Sequence, residues 1–570
     1  MSQTPPGPFE SHVTDRDRAV IYVAILIALF LAALDQTIVA TALPRMVEDL
    51  QGVDRYAWVA TAYLLASTGM ALIYGKLADT YSRKHVTLGA IVLFLVGSVL
   101  CGLSGELGDL PLVGDGMTQL VLFRGLQGAG GGGLFAMTFI VIADLFTPAE
   151  RGKYQGYVGA VFGIASVLGP LIGGLLTDNA GGLVPGVEGW RWVFYVNLPV
   201  GALALWFIVT RMPLLEPHGD RTRPDLLGGA LLLGGLIPVI MSLQLDKGVY
   251  AWTSPVTLGL FFGGWALLTA FVFRSRRVPS PILDMRLFSD AVFRSANAST
   301  FFFGASFMSV TIFLPLFLVN VLGVSATAAG AALIPFSLGI VLSATAAGQV
   351  VHRVGYRRQI FFGGLVFLVI VVMLARMGPD VPYSLVLLYM VAAGLGVGPG
   401  MPLFTLAIQN AVDVRLVGQA TSAAQFFRQT GATVGAALMG TVLASTLALS
   451  FSRLDLPEDW LARSDTTLEE LVSSGGADLP ARIDAVYGQL AAEAPTPEEA
   501  QAVLAQGAFL SDRIGTEVRE AFSLATTRIY WLTTLLVAFA TLLALRIPEL
   551  PLRTTHDRAA MRPTQPVEGP

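Results

Sequence analysis

The stretch "LAALDQTIVATALP", residues 31–44, sets a carboxylate, Asp35, inside a largely apolar run that begins at Val20. About 20 apolar residues are enough to cross a bilayer as a helix. An Asp near the middle of such a helix costs about 2.5–3.5 kcal/mol on insertion. A chain keeps that group only where something offsets the cost, such as a partner charge, a polar cavity or a proton that must be carried.

The composition says which setting applies. Of the 570 residues, 54% are hydrophobic and 13% charged, with a mean hydropathy of +0.66. Soluble domains carry about 25% charged residues, so a chain with half that share and apolar runs along nearly its whole length reads as a polytopic membrane protein. One cysteine, Cys101, excludes a disulfide framework and a thiol-ligated metal site. His12, His85, His218, His352 and His556 all fall in loops or tails, which speaks against a buried histidine relay or metal site. The run from Val20 is longer than a signal-peptide core and is followed by many others, so it reads as a first span, not a cleaved signal.

Fourteen helices are expected, over 20–43, 57–75, 86–105, 118–142, 154–177, 191–210, 227–245, 255–273, 294–320, 327–349, 359–376, 383–409, 419–448 and 525–546. Lys and Arg collect in loops on one side only ("GKLADTYSRKH", "PAERGKY", "HRVGYRR"), whereas "ELGDLPLVGDG" and "DNAGGLVPGVEG" on the other side are acidic or neutral. The positive-inside rule then places both termini in the cytoplasm of a cell's inner membrane. Residues 450–524 read as a long extracytoplasmic insert with 14 Asp/Glu against 5 Arg. Helix-start signals lie in it at Thr466 with Glu469, and at Thr496 before Pro497.

"GKLADTYSRKH" after the second helix is echoed by "GQVVHRVGYRR" after the tenth. A repeat of that kind divides the chain into a tail (1–18), a six-helix bundle (19–210), a linker with two helices (211–290), a second six-helix bundle (291–546) and a tail (547–570). Halves that rock about a central site are the usual build of a secondary transporter.

The motifs resemble the major facilitator superfamily, and within it the fourteen-helix drug:proton antiporters of the EmrB/QacA type. "LDQTIVATALP" (34–44) is similar to the helix-1 signature, and "GKLADTYSRKHVTL" (75–88) to the superfamily's loop motif through Gly75, Asp79, Arg83 and Lys84. Thr80 and Ser82 depart from that motif, where Arg and Gly are usual. "LVLFRGLQGAGGG" (120–132) resembles the helix-4 motif, "GIASVLGPLIGG" (163–174) the helix-5 antiporter motif, and "WRWVFYVNLPVG" and "DLLGGALL" the helix-6 and helix-7 signatures. The resemblance implies an all-α major facilitator fold of two six-helix bundles plus two inserted helices.

Asp35 and Arg124 are the expected proton-coupling pair, because burial raises an Asp pKa and a nearby Arg lowers it. A change in their separation would then change proton affinity; the plainer reading is mutual neutralisation as bundle glue. Gln127, Gln425 and Arg428 are expected to form a central polar network, although Arg428 could instead reach outward to the membrane surface. The resemblance makes Gly75, Asp79, Arg83 and Lys84 a cytoplasmic gate, whereas plain positive-inside charge would also account for the two cations. Gly163, Gly169, Pro170, Gly173 and Gly174 form the helix-5 motif, where glycines four apart allow close helix contact.

The expected function is proton-coupled export of hydrophobic or cationic drugs by alternating access. The alternative on the same fold is export of an endogenous lipid, glycolipid or metabolite. The energy source would be the proton gradient, with no cofactor, no metal, no nucleic acid partner and a monomeric chain in the bilayer. An enzyme would need a constellation of His, Asp or Cys at one face, and an ATP-driven pump a nucleotide-binding motif; the sequence offers neither.

Overall fold

A backbone in hydrocarbon has no water to bond, so it must satisfy its N–H and C=O groups internally, and helices do so within one segment. The computed structural model describes residues 14–52, 55–108, 111, 113–179, 187–214, 224–245, 250–454 and 479–552. Among them are 14 helices long and apolar enough to cross a membrane. They are α1 (Asp15–Asp49), α2 (Tyr56–Thr80), α3 (Arg83–Gly102), α4 (Gly116–Leu145), α5 (Pro148–Asn179) and α6 (Gly189–Arg211). Next come α7 (Leu226–Gln244), α8 (Pro255–Ser275), α9 (Ala291–Asn320), α10 (Ala328–Val354) and α11 (Tyr356–Leu374). Then follow α12 (Tyr383–Ala411) and α13 (Val414–Phe451), the short α14 (Leu479–Ala492), and the last span, α15 (Pro497–Leu545).

Helix starts follow from local chemistry. Asp115, Asp225, Ser254 and Asp290 each accept a backbone N–H three residues on, at 2.9–3.2 Å, and so cap α4, α7, α8 and α9. Within α9 the residues Ser309–Phe313 widen into a π-turn. Pro315, two residues on, has no N–H to continue the α ladder.

α1–α6 form one bundle around Ile25, Leu29, Phe94 and Phe139. α9–α13 and α15 form the other, around Phe293, Phe317, Phe336 and Phe367. Between them in sequence, α7 packs on both α2 and α13, and α8 packs on α7. α8 turns Phe262, Trp265 and Phe273 outward, as a lipid-facing helix should. The pair is clamped by Arg274, whose Nε and Nη2 reach Asp225 at 2.7–2.9 Å. Burial works against the charge on Asp225, but the Arg274 fork and the Gly228 N–H outweigh it and hold its pKa below the ordinary value.

One element differs from the sequence expectation. The last span begins at Pro497 instead of residue 525 and runs 49 residues without a break. At 1.5 Å per residue that is about 73 Å, more than twice the hydrocarbon thickness. The segment 450–524 is thus partly helical, as its start signal at Thr496 predicts, and its second half runs without a break into the last span. α14 folds back along α15, with Tyr487 over Gly507 and the Ser511 hydroxyl donating to Pro480 O at 3.1 Å. Thr496 caps α15 as the sequence predicts. The signal at Thr466 lies outside the described residues.

The bundles meet along α5 with α10 and α2 with α13. A Cβ on Gly152 would stand 2.7 Å from Gly348 O, and one on Gly156 2.8 Å from Ala344 O. Both are nearer than real Cβ contacts come, so only glycine permits this approach. Further along α5 the glycines change partner: a Cβ on Gly173 would stand 2.8 Å from Ile38 O of α1, and one on Gly169 would strike Thr37. The close contacts between bundles therefore lie near the face that carries both chain ends.

Gly348→Val is expected to keep that face from sealing. Cys101 is buried and is the chain's one cysteine, so a cysteine placed at Thr421 reports the change. Maleimide labelling of Thr421→Cys should be slow in the native background and several-fold faster with Gly348→Val.

Candidate functional site

Asp35 is 0% exposed, in the middle of α1. Its Oδ2 accepts from Arg124 Nη1 at 2.6 Å; its Oδ1 accepts from Gln127 Nε2 at 2.7 Å and from Asn197 Nδ2 at 3.0 Å. Gln127 Oε1 in turn accepts from Arg124 Nη1 at 2.6 Å. The Ser98 hydroxyl accepts from Gln127 and Asn197 at 3.2 and 3.0 Å and donates to Phe194 O at 2.9 Å. The Arg124 guanidinium lies 4.4 Å from the centre of the Tyr63 ring. Arg124 and Gln127 sit one turn apart on α4, which is why both reach one carboxylate. α1, α3, α4 and α6 thus close a polar knot inside the first bundle.

Asp35 does not line the central cavity; its neighbour Gln36 does. The cavity, of about 210 Å³, lies between the bundles. Its apolar wall includes Phe135, Phe162, Phe303, Phe307 and Phe404, with Met308 and Met401. Its polar groups include Gln244, Gln425, Arg428 and Gln429. Arg428 donates from Nε and Nη2 to Gln425 Oε1 at 3.1 and 2.7 Å. Gln127, Gln425 and Arg428 therefore do not form one network: Gln127 belongs to the knot around Asp35, and the other two to the cavity wall. Arg428 does not reach outward to the membrane surface.

At the face with the chain ends, Asp79 at the end of α2 accepts from the backbone N–H groups of Gly418 and Gln419 at 3.0 and 2.9 Å. These are first-turn donors of α13, where a helix favours negative charge. Gly75, one turn earlier, lies against α13, since a Cβ there would stand 2.7 Å from Gly418 O. Arg83 is fully buried, pairs with Asp144 at 2.8 Å and donates to Ala78 O, so it is more than an orientation signal. Lys84 is half-buried and donates to Val209 O at 2.8 Å. Thr80 donates back to Lys76 O at 2.9 Å. Nearby, Gln155 of α5 donates to Gln409 of α12 at 3.0 Å, and Gln409 to Phe139 O of α4 at 3.3 Å.

In the helix-5 motif, Gly163 faces Val341 of α10, and Gly169 and Gly173 face α1. A Cβ on Gly174 would meet nothing within 4 Å, so that glycine carries no contact. Pro170 is exposed within α5.

Sequence reasoning passed over Asn197, Ser98, Asp144, Gln155 and Gln409. The first lies inside the quoted motif "WRWVFYVNLPVG", and an amide in an apolar span is a usable signal. The two glutamines that link α5 to α12 carry the same signal, but nothing in the sequence pairs them.

The family model described as Major Facilitator Superfamily matches residues 25–436. The chain is 36% identical over 426 residues to Multidrug transporter protein MdtP of Bacillus subtilis (strain 168), over 75% of each chain. It is 32% identical over 554 residues to an uncharacterized MFS-type transporter of Mycobacterium tuberculosis (strain ATCC 25618 / H37Rv), over 97% of this chain and 72% of that one. The solved structure of the proton:xylose symporter XylE bound to 6-bromo-6-deoxy-D-glucose overlays with a TM-score of 0.56 at 15% identity. That overlay covers 76% of this chain and 90% of the other, and shows a shared fold.

Removing one member of a buried pair leaves an uncompensated charge and costs about 3–5 kcal/mol. Arg124→Gln should therefore lower the thermal stability of the purified protein strongly. Arg124→Gln combined with Asp35→Asn should lose clearly less than the two single losses added, as a double-mutant cycle in detergent would measure. Strict additivity would mean that the pair is not coupled.

Proposed function

The chain belongs to the Major Facilitator Superfamily, and from that premise we propose a proton-coupled antiporter of the cytoplasmic membrane that exports hydrophobic compounds by alternating access. Both termini lie in the cytoplasm, the chain acts as a monomer, and the proton gradient drives it without a cofactor. Transport of small substrates across a membrane is the work of the family; coupling and direction are the proposal. The observation that carries it is the wholly buried Asp35–Arg124 pair, one residue from the cavity wall at Gln36.

In the state described, the cavity is closed on the chain-end side, and Asp35 is bound by three side-chain donors. Protonation removes the charge that holds Arg124 and weakens the knot. Two residues on, Thr37 donates to Ala165 O of α5 at 2.9 Å, where Gly169 admits α1 closely. α5 also forms the seam with α10. A proton arriving at Asp35 therefore acts on the helix about which the bundles pivot. Asp79 holds α13 only while this side is shut, which is the role of a gate.

Relatives named for multidrug transport support hydrophobic drugs as cargo. The cavity wall offers no carboxylate among the described residues, so the expectation of cationic drugs finds no counter-charge there. The second reading, export of an endogenous lipid, glycolipid or metabolite, draws on the α14–α15 hairpin beyond the membrane, a place for cargo to be received.

In proteoliposomes loaded with a pH dye, the native protein should couple proton flux to the movement of an uncharged lipophilic probe such as N-phenyl-1-naphthylamine. Asp35→Asn should bind the probe and fail to couple; normal coupling in that variant would place the proton site elsewhere. Asp79→Asn should weaken the hold on α13 and raise maleimide labelling at Thr421→Cys, and unchanged labelling would remove Asp79 from the gate.

A further inference from the structure

The arginines of this chain meet different fates. Arg124 is paired with Asp35 at 2.6 Å, Arg83 with Asp144 at 2.8 Å, and Arg274 with Asp225 at 2.7 Å. Arg428 has no carboxylate within ion-pair distance among the described residues, and its hydrogen bonds go to the neutral amide of Gln425. It lies 11 residues into helical chain from Val417, about 16 Å along the axis, and so deep in the membrane. A guanidinium has five N–H donors; two are committed to Gln425, and three are left on the wall of an open cavity.

The rest of the wall sharpens the point. Its other polar side chains include Gln36, Gln244, Thr300, Thr405, Gln429 and Thr433, all amides and hydroxyls that can orient a charge but not neutralise it. The backbone at Arg428 is fixed, because Gly304 of α9 packs directly on its carbonyl. Gln425, one turn earlier, holds the guanidinium by one edge. Around it stand the phenylalanines and methionines, which give a pliable apolar bed. A lone positive charge in such surroundings is costly unless an opposite charge joins it.

We propose that the cavity takes amphiphilic anions: a carboxylate, sulfonate or phosphate on a flat apolar body, with the acidic group on Arg428 and the body among the aromatic rings. This rests on the transport reading and names its substrate class. Arg suits the role, since its planar fork meets two oxygens of such a group at once. An anion brings the cavity to neutrality. A cation would place a second positive charge beside the first, in a medium that screens poorly.

The test uses the full chain in nanodiscs and three probes of one shape: 1-pyrenebutyrate, its methyl ester, and pyrenebutyltrimethylammonium. The native protein should bind the carboxylate about ten- to hundredfold more tightly than the ester, as a hydrogen bond between charged groups implies. Arg428→Gln should erase that preference and Arg428→Lys restore part of it. Ester affinity that stays within a few fold in Arg428→Gln would show that the cavity is still formed. Equal binding of carboxylate and ester by the native protein, or a preference that survives Arg428→Gln, overturns the proposal. Proton-driven flux of the same probes in proteoliposomes separates the two readings. Arg428-dependent binding without coupled flux of any probe sustains the anion site and sinks the antiporter. Coupled export of the ester or the ammonium with the carboxylate ignored sustains the antiporter and sinks the anion site.

Discussion

A charge inside a membrane must find a partner, and the Asp35–Arg124 pair is where this chain meets that demand most completely. The carboxylate accepts from three side chains on two helices, and the serine behind them hands the network on to a backbone carbonyl. Four of the six helices of the first bundle are tied at this point. Broken pairs inside low-dielectric surroundings are expensive, so the knot both holds the bundle and concentrates in one group the energy that a proton could release.

The glycines supply the complementary constraint. α5 carries glycines along its whole length, yet they serve two neighbours in turn: Gly152, Gly156 and Gly163 admit α10 of the other bundle, and Gly169 and Gly173 admit α1 of its own. A single helix thus shares one surface with the seam between bundles and another with the strand of chain that holds Asp35. Rigid, closely packed contacts transmit small shifts because packed interfaces do not deform continuously. The α7–α8 pair adds a brace, since α7 touches both halves near the seam.

Much of this was legible from the sequence. The fourteen spans follow from hydropathy, because lipid imposes one rule on every segment. Asp35, Arg124 and Gln127 follow from the rarity of polar groups in apolar runs, and Asp79 follows from its motif. What the sequence could not supply was direction. Asp35 and Gln36 are adjacent, and only packing decides that the first turns into the bundle and the second into the cavity. Arg83 read equally well as a surface cation until Asp144, 61 residues away, was seen beside it. The last span was placed too late because its outer half is polar on one side; Ile483, Tyr487, Leu510 and Ile514 make sense as apolar positions only once α14 and α15 are seen to cover each other.

The division of charge between the bundles bears on how coupling can work at all. The described acid at the centre of the molecule lies in the first bundle, behind the cavity wall; the cation on the wall lies in the second. A proton at Asp35 and a ligand at Arg428 therefore do not compete for one group. Direct displacement, in which a cationic substrate drives a proton from a shared carboxylate, is not available to this arrangement. On the proposed reading, coupling passes through conformation: each ligand influences the other by favouring one of two states of the seam. Thr68 of α2 donates to Gln429 of α13 at 3.0 Å, next to Arg428 in sequence. That contact joins the bundles at the level of the cavity, where such an influence would have to cross.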